Sequence, residues 1–200
     1  MKKKPQQMQE NPESKSGRGG LIVVCGPPFS GKSLIGTRLA ECLPNAVKLE
    51  AEDNILRAGE VWYPDDRSRE PVHKPQGKLL ETASDIWGTC EIGRTPIVIL
   101  VARFATPSAR RRAYKLARSK NVFFLLIQAH STNMPVMRRI SKLLLPRGQA
   151  SKRIEQITKA VKAYQAISSG ESEQYPCVRL KGDLSALDNL FAEIVSKWLV

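Results

Sequence analysis

The sequence lacks the features that mark membrane and secreted proteins. No stretch reaches 18 consecutive apolar residues, so no membrane-spanning helix is expected. The first 20 residues begin with basic residues but have no apolar segment behind them, which is not the pattern of a secretory signal. Their Gln, Pro, Ser, Lys and Gly content cannot bury enough surface to offset the entropy of ordering. We therefore expect a cytoplasmic protein without a membrane partner, in which residues 1–20 form a flexible basic tail.

Cysteine and histidine are also scarce. The four cysteines lie far apart and form no C-x-x-C pair, in contrast to the spacings of metal sites and disulfide frameworks. We expect them to be buried, reduced thiols: Cys25, Cys42, Cys90 and Cys177. The two histidines, His73 and His130, are isolated in the sequence. Histidine therefore gives no support for a metal site.

Acidic residues are absent between residues 103 and 154. This segment contains 13 Lys and Arg residues, and this number equals the net charge of +13 of the whole chain. A long segment with charge of one sign indicates an anionic partner. The charge alone does not distinguish a small anion from a nucleic acid.

The sequence does contain a glycine-rich phosphate-binding motif. Residues 26–33 read GPPFSGKS and fit the pattern G-x-x-x-x-G-K-[ST]. The apolar run 21–25 before the motif predicts a buried parallel strand, and Ile35, Leu39 and Leu43 after it recur on one face of a helix. At such a junction, backbone N–H groups and the helix dipole hold polyphosphate. The predicted nucleotide-binding residues are Gly26, Pro27, Pro28, Phe29, Ser30, Gly31, Lys32, which reaches the β- and γ-phosphates, and Ser33, which ligates Mg²⁺.

Strand and helix patterns alternate along the rest of the chain. Strands are predicted at five apolar or alternating segments: 21–25, 46–50, 96–101, 122–127 and 177–180. Helices are predicted between and after them, including 77–92, 107–120, 136–144, 151–168 and a last helix capped by Asp183. This alternation predicts an α/β fold of the three-layer P-loop NTPase type, a five-stranded parallel sheet with helices on both faces. The length of 200 residues suits one domain, which we place at 21–200.

Two charged residues follow the second predicted strand. Asp53 and Arg57 come soon after residues 46–50. Ligands of parallel sheets gather beyond the C-terminal ends of the strands, so both side chains are expected near the phosphate loop. The alternative is that Asp53 only caps a short helix over residues 54–60.

In their order, these motifs resemble the P-loop kinases of the nucleoside-monophosphate-kinase type, and locally the adenylylsulfate (APS) kinases. Residues 49–57, LEAEDNILR, are similar to the L-D-G-D-N-x-R of the APS kinases, with two single-residue insertions. Residues 66–72, DRSREPV, are similar to D-R-x-E-N-I-R, with Pro71 in place of the Asn that contacts the substrate. Residues 104–107, FATP, match F-I-S-P in kind. Polynucleotide-kinase and zeta-toxin-like P-loop kinases also place Asp and Arg soon after the second strand.

The resemblance implies a kinase that transfers the γ-phosphoryl group of Mg-ATP to a hydroxyl of a small, anionic acceptor. It implies a helical lid over about 138–152, whose arginines close over the phosphates. The implied catalytic residues are Lys32, Asp53, Arg139 and Arg147, with Arg57 and Arg67 binding the acceptor and Ser33 and Asp53 holding the metal. ATP and Mg²⁺ are the expected cofactors, and the oligomeric state is left open.

Two other functions remain open. The third predicted strand ends without the carboxylate that helps many P-loop proteins to hold Mg²⁺, since residues 99–103 read ILVAR. APS kinases also lack it and rely on the Asp after the second strand. If Asp53 does not fill this role, the protein is a non-catalytic ATP-binding regulatory module. A polynucleotide 5′-hydroxyl kinase is the other alternative, suggested by the acid-free segment and the basic tail. Base-stacking aromatics are not evident for it, because Phe123 and Phe124 are expected in the core.

Overall fold

A computed structural model describes residues 19–51, 74–90, 95–129 and 149–180, together with residue 189. These residues form five strands and five helices in chain order. They are β1 (Gly20–Cys25), α1 (Lys32–Cys42), β2 (Ala46–Glu50), α2 (Lys74–Thr89), β3 (Ile97–Val101), α3 (Pro107–Ser119), β4 (Phe123–Ala129), α4 (Gln149–Lys162), α5 (Ser169–Gln174) and β5 (Cys177–Leu180). Among the described helices, none combines the length and apolar character needed to cross a bilayer.

The five strands form one parallel sheet in the order β2-β3-β1-β4-β5. β1 lies at the centre and pairs with β3 on one side and β4 on the other, and its six residues are all buried. Because all strands are parallel, the segments that follow them emerge at the same edge of the sheet. The predicted five-stranded parallel sheet is therefore confirmed, and the phosphate-binding motif follows its central strand.

Helices cover both faces of the sheet. On one face, the apolar side of α1, formed by Ile35 and Leu39, packs on side chains of β1, β3 and β4. On the other face, α2 contributes Ala83 and Trp87, and α3 contributes a row of small residues: Ala109, Ala113 and Ala117. The predicted three-layer arrangement is confirmed, with the apolar face of α1 as expected.

Some boundaries differ from the prediction. β1 begins at Gly20, so Gly19 and Gly20, which were assigned to the tail, are buried against the sheet. The helix expected over 151–168 starts at Gln149 and ends at Lys162, and α5 follows as a separate short helix. The reason is a capping box at Ser168 and Glu171, the S-x-x-E signature of a helix start. Other predicted segments lie wholly or mainly outside the described residues: the tail 1–18, the lid 138–152, and the helices 54–60, 136–144 and after Asp183.

The four cysteines are free, as predicted, but only one is buried. Cys25, at the end of β1, is buried, and burial raises the pKa of its thiol to about 11. Cys90 and Cys177 are half-buried, and Cys42 is exposed. The expectation of uniform burial was wrong for Cys42, which is exposed at the last residue of α1, where the helix ends.

A buried ion pair joins α3 to α5. Arg110 is fully buried, and its guanidinium donates to both carboxylate oxygens of Glu171 at 2.8 Å. The same guanidinium donates to the carbonyl oxygens of Phe104 (2.9 Å) and Gln165 (3.0 Å), and Tyr175 donates its hydroxyl to Glu171 at 2.6 Å. Burial raises the pKa of Glu171, but the hydrogen bonds from Arg110, Tyr175 and Ser168 outweigh it and hold the pKa at about 2. Arg110 therefore has its anionic partner inside the protein.

Replacing Arg110 is expected to destabilise the fold strongly. Arg110→Gln leaves the Glu171 carboxylate buried without its counter-charge, which costs on the order of 3–5 kcal/mol of unfolding free energy. The neighbouring Arg111 is exposed, so Arg111→Gln is expected to change this free energy by less than about 0.5 kcal/mol. Urea unfolding of both variants measures the difference. Equal stability of the two variants would contradict a structural role for the buried pair.

Candidate functional site

The predicted phosphate-binding motif, residues 26–33, begins directly after β1 and ends in the first turn of α1, at the edge where the strands end. A Cβ atom on Gly26 would lie 2.7 Å from the carbonyl oxygen of Ala129 and 2.7 Å from Ser30 Oγ, so no larger residue fits without displacing them. Gly31 caps α1 with φ 85°, in the left-handed region that favours glycine. The two glycines of the motif therefore serve different purposes, since Gly26 permits close packing and Gly31 permits the turn into the helix.

The lysine of the motif lies over the loop. Lys32 is 7% exposed, and its ammonium group donates to the carbonyl oxygen of Pro27 at 2.8 Å. Ser30, in the same loop, has a buried hydroxyl oxygen for which the described residues supply no hydrogen-bond partner. A buried polar group without a partner costs about 1–3 kcal/mol, and a ligand that accepts its proton would remove that cost. The ammonium group of Lys32 and the unsatisfied hydroxyl group of Ser30 therefore lie close together in the sequence of the motif.

The serine that follows Lys32 contacts a carboxylate that the sequence analysis did not select. Ser33 donates its hydroxyl to Glu50 at 2.5 Å, and Glu50 is the last residue of β2. Lys48 donates to the other carboxylate oxygen of Glu50 at 3.0 Å and also to the hydroxyl of Thr37 in α1, at 3.0 Å. Partial burial acts to raise the pKa of Glu50. The hydrogen bonds from Ser33 and Lys48 together outweigh this effect, so the pKa lies below its usual value. Glu50 is therefore ionised at neutral pH.

Glu50 supplies a carboxylate close to the position where β3 lacks one. In the sheet, Glu50 is in register with Val101, the last residue of β3. The following Ala102 and Arg103 make backbone hydrogen bonds with β1 and with Gly26, and they contribute no acidic side chain. Hydroxyl and carboxylate oxygens such as those of Ser33 and Glu50 are ligands that suit Mg²⁺. A signal in the sequence pointed to Glu50, because it occupies the first acidic position of the segment that resembles L-D-G-D-N.

The structure brings together part of the predicted site. All eight residues of the phosphate-binding motif are described, with residues 26–31 between β1 and α1 and Lys32 and Ser33 at the start of α1. The remaining predicted residues lie outside the described part of the chain: Asp53, Arg57, Arg67, Arg139 and Arg147. Thr106 caps α3, because its hydroxyl oxygen accepts from the backbone N–H of Ala109 at 3.3 Å. Within the described ranges, no three His, Cys, Asp or Glu side chains group together as metal ligands.

Comparisons with known proteins bear on the fold. The sequence matches no model of a protein family and no curated protein. Solved structures do match. Kti12 of Chaetomium thermophilum, in complex with ADP-AlF3, has a TM-score of 0.61 and 14% identity, with 89% of this chain and 98% of that chain covered.

Two further structures are kinases by name. A fungal RNA kinase has a TM-score of 0.56 and 13% identity, over 90% of this chain and 87% of its own. The APS kinase CysC of Mycobacterium tuberculosis, in complex with AMPPNP and APS, has a TM-score of 0.54 and 22% identity, over 90% and 96%. At these identities the likeness establishes the fold alone, which is the α/β fold of the P-loop NTPase type. The resemblance inferred from the motifs is thereby confirmed.

Proposed function

We propose that this protein is an ATP-dependent phosphotransferase that moves the γ-phosphoryl group of Mg-ATP to a hydroxyl of a small, anionic acceptor. The observation that carries the proposal is the loop after β1, with Lys32 folded over it and Ser33 hydrogen-bonded to Glu50. The fold is shared with an APS kinase in complex with AMPPNP and APS and with an RNA kinase. Phosphoryl transfer needs mainly positioning and electrostatic stabilisation, which a rigid cationic loop provides.

The loop binds the polyphosphate in this proposal. The first backbone N–H groups of an α-helix carry the positive end of the helix dipole, so those of α1 attract phosphate oxygens. Lys32 exchanges its contact with the carbonyl oxygen of Pro27 for the β- and γ-phosphates. The buried hydroxyl of Ser30 gains an acceptor when phosphate enters the loop. Each of these changes gives a group of the loop a charge-assisted hydrogen bond to a phosphate oxygen.

Ser33 and Glu50 would hold the metal together with the predicted Asp53. The fit rests on chemistry, because a hydroxyl and an ionised carboxylate already lie within hydrogen-bond distance of each other. When bound, Mg²⁺ supplies neutralisation of the charge that develops on the phosphoryl oxygens. Lys48 donates hydrogen bonds both to Glu50 and to Thr37 on α1. It therefore positions the Glu50 carboxylate relative to α1.

The acceptor side of the site rests on residues outside the described part of the chain. In the proposal, Asp53 orients or deprotonates the acceptor hydroxyl, and Arg57 and Arg67 bind its anionic group. Arg139 and Arg147 close over the phosphates from the lid, as arginine fingers supplied by the same chain. The absence of a carboxylate at the end of β3 favours a second candidate, a nucleotide-binding module that does not transfer phosphate.

Phosphoryl transfer separates the two candidates. With a panel of anionic hydroxyl acceptors and Mg-ATP, the wild type is expected to form a phosphorylated product. Asp53→Ala is expected to lower its rate by at least about 100-fold, the range of general-base effects, while ATP still binds. Product analysis and ATP titration of both proteins measure this. If both proteins bind ATP and neither phosphorylates any acceptor, the non-catalytic module is the correct function.

Removing the charge of Glu50 tests its proposed role in holding Mg²⁺. Glu50→Gln keeps the shape of the side chain but removes the charge, so the Mg²⁺ concentration needed for half-maximal ATP binding is expected to rise about 10-fold or more. Glu41→Gln is the matched control, because Glu41 is an exposed residue of α1 that pairs only with Arg38 among the described residues. Binding titrations at several Mg²⁺ concentrations measure the shift. The same Mg²⁺ dependence in both variants would remove Glu50 from the site.

A further inference from the structure

Helix α3 carries a row of exposed cations without partners inside the described structure. We call it the α3 basic face, and it consists of Arg111, Arg112, Lys115 and Arg118. All four side chains are exposed, and none makes an ion pair with a described residue. The neighbouring helix α2 exposes Glu81 and Asp85, but neither is paired with this face. Arg110 differs from these four, since its charge is neutralised by Glu171.

The four cations follow one side of the helix. Arg111, Lys115 and Arg118 are spaced i, i+4 and i+7, which places them in a single stripe, with Arg112 beside Lys115 at i+3. At 1.5 Å per residue the stripe is about 10 Å long. A nucleic-acid strand carries one negative charge per nucleotide, so a stripe of this length can face more than one phosphate of a strand.

The opposite side of α3 fixes the stripe rigidly. Ala109, Ala113 and Ala117 are buried against the sheet, and Arg110 anchors the first turn through Glu171. A rigid support lowers the entropy that the exposed side chains lose when they bind. The segment before α3 is tied to the phosphate loop, because Gly26 donates its backbone N–H to the carbonyl oxygen of Arg103 at 3.3 Å.

The α3 basic face runs from the edge of the sheet that carries the phosphate loop to the opposite edge. α3 begins after the C-terminal end of β3, at the edge of the sheet where the phosphate loop lies, and it ends just before β4 starts at the opposite edge. The α3 basic face therefore leads away from the loop along the outside of the sheet. A bound chain molecule would have one end close to the phosphate loop.

We propose that the α3 basic face binds the phosphate backbone of a nucleic acid. Three of its four cations are arginines, whose planar guanidinium groups match phosphate oxygens with two hydrogen bonds. A lipid surface fits less well, because membrane-surface helices insert large apolar side chains. The exposed large apolar residue of the described chain is Leu34, which lies on α1. This binding goes beyond the proposed transfer reaction, since it needs neither ATP nor Mg²⁺.

The test is the salt dependence of oligonucleotide binding. The full chain is titrated against a dye-labelled single-stranded oligoribonucleotide, without ATP, at several salt concentrations. Each phosphate contact contributes about 0.7 to the slope of log affinity against log salt. Arg111→Gln with Arg118→Gln is therefore expected to reduce this slope by about 1.4 and to weaken binding at least about tenfold near 0.1 M salt. Gln keeps the helix propensity of Arg, so both substitutions preserve α3.

The matched control removes the same charge elsewhere. Lys78→Gln with Lys162→Gln takes two exposed cations from α2 and α4, and its slope is expected to stay near that of the wild type. Arg111→Lys with Arg118→Lys keeps the charge and is expected to restore most of the slope. The basic tail is present in every variant, so the differences report α3 alone.

Two outcomes would overturn the proposal that the α3 basic face binds a nucleic acid. One is an equal loss of slope in the control and the α3 variant, which would mean that only net charge matters. Another is binding of anionic lipid vesicles or polyglutamate as tightly as the oligonucleotide, with the same dependence on Arg111 and Arg118. Binding that persists in a protein unable to transfer phosphate would refute the proposed function and leave this inference standing.

Discussion

Gly26 lies so close to the carbonyl oxygen of Ala129 and to Ser30 Oγ that only a hydrogen atom fits in place of its side chain. This contact lets the chain turn sharply out of the central strand and enter α1 at Gly31. The turn places Lys32 over the loop and Ser33 beside Glu50. The cation, the hydroxyls and the carboxylate of the candidate site therefore all depend on the packing of one residue at the end of β1.

Glu50 places a carboxylate next to the end of β3. The end of β3 lacks the carboxylate that many P-loop proteins use to hold Mg²⁺. The strand order shows that β2 lies beside β3, so its last residue ends at the same level as Val101. Ser33 of α1 donates a hydrogen bond to one carboxylate oxygen of Glu50, and Lys48 of β2 donates one to the other. A neighbouring strand thus supplies a carboxylate where β3 has none, and in the proposed site this carboxylate would be an oxygen ligand of Mg²⁺.

Local patterns made the fold and the phosphate loop predictable from the sequence. The apolar run of β1, the spacing of Ile35 and Leu39, and the Thr106-Pro107 helix start each involve only near neighbours in the chain. The Ser33–Glu50 and Arg110–Glu171 contacts join residues 17 and 61 positions apart, and they depend on strand order and helix packing. No periodicity reports such contacts. For the same reason, the run of arginines 110–112 does not reveal that Arg110 is buried while the two that follow are exposed. Asp53 and the lid arginines stay predictions.

The central claim is that the loop after β1 binds the phosphates of a nucleotide through Lys32. Calorimetric titration of ATP in the presence of Mg²⁺, with the wild type and Lys32→Ala, tests it most directly. A charge-assisted hydrogen bond contributes about 1.5–3 kcal/mol, so the variant is expected to bind ATP about 10- to 100-fold more weakly. An ATP affinity that is the same in both proteins would contradict the account.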